Sequence, residues 1–398
     1  VTSWEGSEEV DPREAGLDQD AIWASVERLY DSGLHPAIAL CVRRNNKVVI
    51  DRALGHVRGN SPDDPPDAPL VQATPRTLFN LYSASKCVTS MLVHMLAERR
   101  QLDIDKPVAE YIPEFGRHGK DRITVRQVLS HRAGIPAVPG VEINLETAAD
   151  PKAVVQIICD AKPLSKPGQR LEYHALTMGY IVGEIVSRVS GKDLRALLHS
   201  EIQGPLKFAH LNYGVSPEEL PLVAENAFTG APAFPPYSWM MERSLGMSLA
   251  EAVKLSNDRR FLTGVVPSAN IITTANEASR YFQMLLDGGT IDGTRIMERH
   301  TIRRAVEPQN RLAYDTFMNI PMRYGLGFML GHRWVSVYGP DTPKAFGHIG
   351  FTAVTAWADP ERQVAAALMT SGKPFITPGQ VLWLNVARTV TRNCPRVA

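Results

Sequence analysis

Two hairpin-like patterns at opposite ends of this chain constrain its fold more than anything else in it. AIALCVRRNNKVVIDRALG, from Ala37, sets two runs rich in Val, Ile and Leu on either side of Arg43-Arg44-Asn45-Asn46-Lys47, the form of a β-hairpin. GHIGFTAVTAWADPERQVAAALMTSG, from Gly347, has the same form around Asp359-Pro360-Glu361-Arg362. Between them the helical period dominates, with segments near 84–98, 123–130, 151–160, 175–190, 194–202 and 276–287. A further helix, DQDAIWASVERLYDSG, precedes the first hairpin with Asp18 as its cap, and LWLNVARTVTRN closes the chain as an amphipathic helix. This order reads as α+β: one antiparallel β-sheet built from both chain ends and flanked by helices, with an inserted, mostly helical lobe. The expected division is a sheet domain of residues 1–85 and 320–398 and a mostly helical domain of 86–319, with the active site where they meet. From Gly214 to Thr263, prolines interleave with Phe228, Phe234, Tyr237 and Trp239, a long ordered excursion that lines a pocket or wraps the surface.

Composition narrows the functional classes. With 398 residues, 44% hydrophobic and 21% charged, the chain has ordinary globular composition and enough length for a large core. Its 43 basic residues against 42 acidic ones leave a net charge of +1, without the clustered charge of a nucleic-acid or anionic-membrane partner. Cys41, Cys87, Cys159 and Cys394 are too scattered for a disulfide framework or a zinc site, so free thiols in the cytoplasm are expected. The first residue is Val1, which leaves a removed leader open. The longest apolar run, near Met91 to Ala97, contains His94 and is too short for a transmembrane segment. Signatures for zinc proteases, phosphate loops, dinucleotide folds and the G-x-S-x-G elbow are missing, and no cofactor or metal is implied.

FNLYSASKCVTSMLVHMLAERRQLDID, from Phe79, places Ser83 three residues ahead of Lys86 at the head of an amphipathic helix. Residues three apart share a helix face, so Oγ and Nζ can meet there. A serine hydroxyl needs a base, and a lysine buried at a helix N-terminus is pushed toward its neutral, basic form by desolvation and by the positive end of the dipole. Alone, the pattern is common by chance and reads more readily as a capping serine followed by a surface lysine. Cys87 points about 100° away from Lys86 and reads as a small buried residue, not a thiol nucleophile.

The company of this pair adds to the reading. TPRTLFNLYSASK, LDIDKPVAEYIPEF, ITVRQVLSHRAGIP, PGQRLEYHALTMGYIVGEIVSRVSGK, IITTANEASRYFQMLLDGGTIDGTRIM, YGLGF and GHIGF follow in order over nearly the whole chain. Together they resemble the serine β-lactamase-like family of class C β-lactamases, D,D-peptidases and, most of all, family VIII carboxylesterases. The resemblance implies a β-lactamase/transpeptidase-like fold, Ser83 as the acylated nucleophile and Lys86 as its base or electrostatic helper. It implies a second motif at Tyr173-His174-Ala175, with Tyr173 as a tyrosinate or as a proton-sharing partner of Lys86, and with Ala175 where the family has asparagine. The third motif stands at His348-Ile349-Gly350, where a titratable donor replaces the family's lysine, Gly350 allows close approach, and substrate lies along an edge strand. The N–H groups of Ser83 and Phe351 would form the oxyanion hole. His174 reads as a neighbour of the site or a structural residue, and His131 as a tie for its loop.

The reading is a serine hydrolase working through an acyl-enzyme on Ser83, a carboxylesterase or lipase for apolar acyl esters, with a small-molecule ester as its partner. An apolar acyl group needs neither the missing amide at 175 nor a lysine at 348, and Phe234, Tyr237, Trp239, Met240 and Met241 could supply an apolar wall. An acyltransferase of the same fold stays open, as do D,D-peptidase and β-lactamase. A non-catalytic binding or scaffold protein is a further alternative, against which the joint presence of Ser83, Lys86 and Tyr173 weighs. Oligomeric state is not legible.

Overall fold

The computed structural model describes residues 2–3, 8–11, 14, 16–138, 147, 150–231, 235, 238–239, 247–375 and 378–397. Helix α1 (Gln19–Tyr30) begins at Asp18, whose carboxylate accepts the Ala21 N–H at 2.8 Å. The main sheet has eight strands: β1 (Thr2–Ser3), β2 (Ala37–Arg44), β3 (Lys47–Arg58), β4 (Val71–Gln72), β5 (Met329–Leu330), β6 (Phe346–Gly350), β7 (Val354–Asp359) and β8 (Val364–Thr370). Their spatial order is β1-β3-β2-β8-β7-β6-β5, with β4 also on β3, and every pairing is antiparallel. The two chain ends meet where β2 pairs with β8, from Ile38 opposite Thr370 to Arg44 opposite Val364. Asn45 and Asn46, with φ of 49° and 63°, make the tight turn from β2 to β3, a backbone that asparagine tolerates better than most residues.

Side chains alternate across a strand, and here the two faces differ in size. Ala39, Ala53, Ala356, Ala358, Ala365 and Ala367 pack in one cluster with Phe282 and Ala278 of helix α4 (Ala275–Leu286). Small residues on that face let the helix lie close against the sheet. Leu40, Val42, Trp357 and Leu368 point the other way, into a second cluster with Ile22 and Val26 of α1 and with Val386 and Val390 of the closing helix α5 (Pro378–Asn393). The expected sheet of both chain ends, sandwiched by helices, is the fold observed.

Helices α2 (Ser85–Glu98) and α3 (Thr177–Ser190) form the centre of the helical part, packed against each other. The helical segments expected near 123–130, 151–160 and 194–202 are present as Val125–Leu129, Pro151–Asp160 and Leu194–Leu198 running on into His199–Gln203. Leu249–Ser256, Arg259–Thr263 and Arg299–Ala305 are helices that the periodicity does not announce. In the 214–263 excursion, Ala227–Thr229 pairs in parallel with Gly372–Pro374. Phe234, Tyr237, Met240 and Met241 lie outside the described residues, and Trp239 is 65% exposed. Among the described residues no helix is long and apolar enough to cross a membrane, and all four cysteines are free and buried.

Candidate active site

Ser83 sits on a single 3-10 turn (Tyr82–Ala84) that runs straight into α2. The chain reaches this turn through a short strand, Phe79–Asn80, paired with Ile271–Thr273. Leu81 N–H donates to the Ile271 carbonyl at 2.9 Å, and Ile271 N–H donates to Ser85 Oγ at 3.0 Å. Tyr82 takes a left-handed φ of 47°, costly for an aromatic residue at roughly 1–3 kcal/mol. Its N–H donates to Asn80 Oδ1 at 2.8 Å and its hydroxyl to Ser256 Oγ at 2.9 Å, while Phe351 lies 5.2 Å away, ring centroid to centroid. Buried Lys373 places Nζ 5.0 Å from the same ring centroid. As one of the first N–H groups of a helical run, that of Ser83 has no intrahelical acceptor.

Lys86 is fully buried, and its Nζ lies 3.2 Å from Ser83 Oγ. It donates to the Ala175 carbonyl at 2.7 Å and, more weakly, to the Ser268 carbonyl at 3.4 Å. Burial without a carboxylate partner pulls its pKa down from 10.5 to about 7. The spacing read from the sequence therefore brings the two groups together. Ala175 contributes its backbone oxygen in place of the missing amide side chain.

Tyr173 packs beside this pair, with Lys86 Nζ 5.0 Å from its ring centroid. Burial drives its phenol well above the ordinary value, opposed by hydrogen bonding to the Ser83 hydroxyl, so it stays protonated at neutral pH and is not a tyrosinate. Its segment is irregular backbone held by side chains remote in sequence. Asp315, itself buried, accepts Tyr173 N–H at 3.1 Å, the N–H groups of Phe317 and Met318 at 2.9 Å each, and the Tyr324 hydroxyl at 3.0 Å. His131, at φ 59°, accepts His174 N–H on Nδ1 at 3.1 Å and Glu172 N–H on its carbonyl at 3.0 Å. His174 donates from Nδ1 to the Glu172 carbonyl at 2.6 Å and accepts Ile135 N–H on Nε2 at 3.2 Å. Both of its nitrogens are thus taken by backbone. His174, a neighbour of the site, braces the Tyr173 segment. Asp315, Tyr324 and Ser268 were not singled out from sequence; Tyr324 alone had a signal, as the first residue of YGLGF.

The third segment comes in on β6. Residues Phe346 and Gly347 pair outward with β5, but beyond Gly347 no strand covers the outer side of β6 among the described residues. The strand is therefore an edge only over its last residues, 348–350. Gly350 lies so close to the Ser83 turn that a Cβ there would sit 2.2 Å from the Leu81 carbonyl oxygen. This close approach carries Phe351, the next residue, to the Tyr82 ring. His348, two residues before Gly350 and so on the same face, is buried with its ring 5.8 Å from that of Tyr173. Its Nδ1 lies 2.5 Å from the Ile349 carbonyl oxygen, which can only accept, so Nδ1 carries the proton. Burial, and the nearby charge of Lys86, lower its pKa to about 3. The nitrogen left over, Nε2, is an acceptor. The donor expected from the sequence is reversed by this bond to the neighbouring carbonyl.

Comparison with known proteins places the chain among its relatives. The chain is 30% identical over 300 residues to the esterase/beta-lactamase LipL of Mycobacterium tuberculosis, covering 73% of this chain and 68% of that protein. Among solved structures, a penicillin-binding protein homologue from Caulobacter crescentus superposes with a TM-score of 0.79 at 26% identity, over 94% of this chain and 96% of that one. A family VIII carboxylesterase superposes with a TM-score of 0.79 at 25% identity, over 92% and 96%. The beta-lactamase family model matches residues 24–391, and the chain belongs to the β-lactamase family.

Proposed function

We propose that the protein is a serine carboxylesterase that acylates Ser83, with the site at the junction of the sheet domain (1–85 and 320–398) and the helical domain (86–319). The observation that carries this reading is the hydrogen-bond accounting of Lys86. A neutral amine has two N–H groups and one lone pair. With the N–H groups on the Ala175 and Ser268 carbonyls, the lone pair is left for the Ser83 hydroxyl 3.2 Å away. Ser83 Oγ then attacks the ester carbonyl as its proton passes to Nζ, and the oxyanion is held by the N–H groups of Ser83 and Phe351. Tyr173, protonated and packed beside Lys86, relays the proton to the leaving alcohol. Water repeats the sequence in reverse to release the acid. A lipase-like preference for apolar acyl groups is part of the proposal.

The name of the family VIII carboxylesterase supports ester hydrolysis, and that of LipL gives esterase beside β-lactamase. The site supports ester hydrolysis too, since Ala175 has no amide to meet a β-lactam's amide and His348 turns a lone pair where a carboxylate would need a donor. Intact mass after an activated ester or a phosphonate, followed by peptide mapping, should place the adduct on Ser83. Folded Ser83→Ala should show no adduct and no p-nitrophenyl butyrate turnover. Efficient nitrocefin hydrolysis beside negligible ester turnover would overturn the esterase reading.

A further inference from the structure

The free nitrogen of His348 has no part in this reaction scheme. Nε2 is sealed from solvent and has no hydrogen-bond partner among the described residues, an uncommon state for a buried polar atom. Its side chain shares a face of β6 with Gly350, which abuts the nucleophile turn, and its ring lies against Tyr173. The titratable groups around it are Lys86, Tyr173 and His131. Within the proposed site, the acyl carbonyl lies between the N–H groups of Ser83 and Phe351, so the leaving oxygen must face Tyr173, which returns its proton. The group beside Tyr173, and hence beside His348, is the alcohol part of the ester.

From this we propose that Nε2 of His348 accepts a hydrogen bond from a hydroxyl on the alcohol part, making monoacyl esters of diols and polyols the preferred substrates. The inference rests on the esterase reading above and narrows it to a substrate class. A plain alkyl ester leaves the lone pair unpaired in a desolvated site, and an ether oxygen at the same place opposes it with lone pairs of its own. A carboxylate meets the same repulsion with a full charge. Because His348 stays neutral well below working pH, it selects as a fixed acceptor and does not act as a base.

The test compares kcat/KM for 2-hydroxyethyl butyrate and 2-methoxyethyl butyrate, which differ by the donor, in the parent protein and in His348→Leu. The parent should favour the hydroxyethyl ester about tenfold or more, and the ratio should fall to about one in the variant. The parent ratio should also hold steady between about pH 5.5 and 8.5, since no proton reaches Nε2 there. A second measurement needs no variant: butyryl transfer from p-nitrophenyl butyrate should favour ethylene glycol over 2-methoxyethanol to a similar degree. A parent ratio near one with p-nitrophenyl butyrate still turned over sinks the proposal and spares the esterase. So does a ratio that survives in folded His348→Leu, or one that collapses between about pH 6 and 7. If the parent turns over no ester at all, p-nitrophenyl butyrate included, the esterase reading itself has failed.

Discussion

Lys86 can take a proton from Ser83 only while it is neutral. Its pKa of about 7 lies below the ordinary 10.5, so the neutral fraction grows as pH rises through 7. Ester kcat/KM should therefore climb from acid toward neutral pH and level off above it; a profile flat from about pH 5 to 9 would contradict a lysine base. Lys86→Ala and Tyr173→Phe should each lower kcat by about two orders of magnitude or more, and the double variant should lose little beyond the worse single, since the proposed route passes one proton through both. Additive losses would mean two independent roles. At this scale the sequence was informative where side chains act and silent where backbone does. Ser83 and Lys86 were legible from helical spacing together with the motifs around them. Ala175 was legible as a missing amide, yet its carbonyl is what holds Lys86, and every residue has a carbonyl. The polarity of His348 depends on a bond to the oxygen of Ile349, and Asp315 reaches Tyr173 across 142 residues, so neither left a local pattern.

The elements that position the site are joined by close backbone approaches, and these should be the sensitive points. Gly350→Ala would put a methyl group 2.2 Å from the Leu81 carbonyl oxygen, a rigid backbone atom that cannot swing aside. Either β6 or the Ser83 turn must move, so kcat should fall about tenfold or more while the overall fold holds. Steady-state kinetics beside a thermal melt checks this, and unchanged kcat would show that the approach is not what sets the geometry. Both hairpins and the long helices were legible because they run for several periods of their pattern. The helices Leu249–Ser256, Arg259–Thr263 and Arg299–Ala305 were not, being too short for a period to stand out. Two-residue β5 was missed for the same reason, and with it the fact that β6 is an edge for only part of its length.

The molecule as a whole buries several neutral imidazoles, and this fixes its response to acid. Burial is the first cause of each shift: His94 and His174 are lowered to about 4, His35 and His348 to about 3. An unfolded histidine takes up its proton near pH 6.5. As pH falls from about 6.5 toward 4, these histidines bind protons in the unfolded chain that the folded one refuses, so their contribution to stability is lost across that window and is fully present above it. Thermal melts from pH 7.5 down to 4.5 should show a progressive fall in Tm beginning below about pH 6.5, and a constant Tm would refute it. The order of the strands carries a different consequence. Ala37 N–H donates to Ser371 Oγ at 2.9 Å across 334 residues, and β2 finds its inner neighbour only in β8. On a ribosome the first hairpin therefore emerges long before its partner exists, with one apolar edge open to any other strand it meets. The pairing that completes the sheet cannot form until residues 364–370 are made, so the lag between translation and first activity should be long, and chaperones that shield extended edges should shorten it.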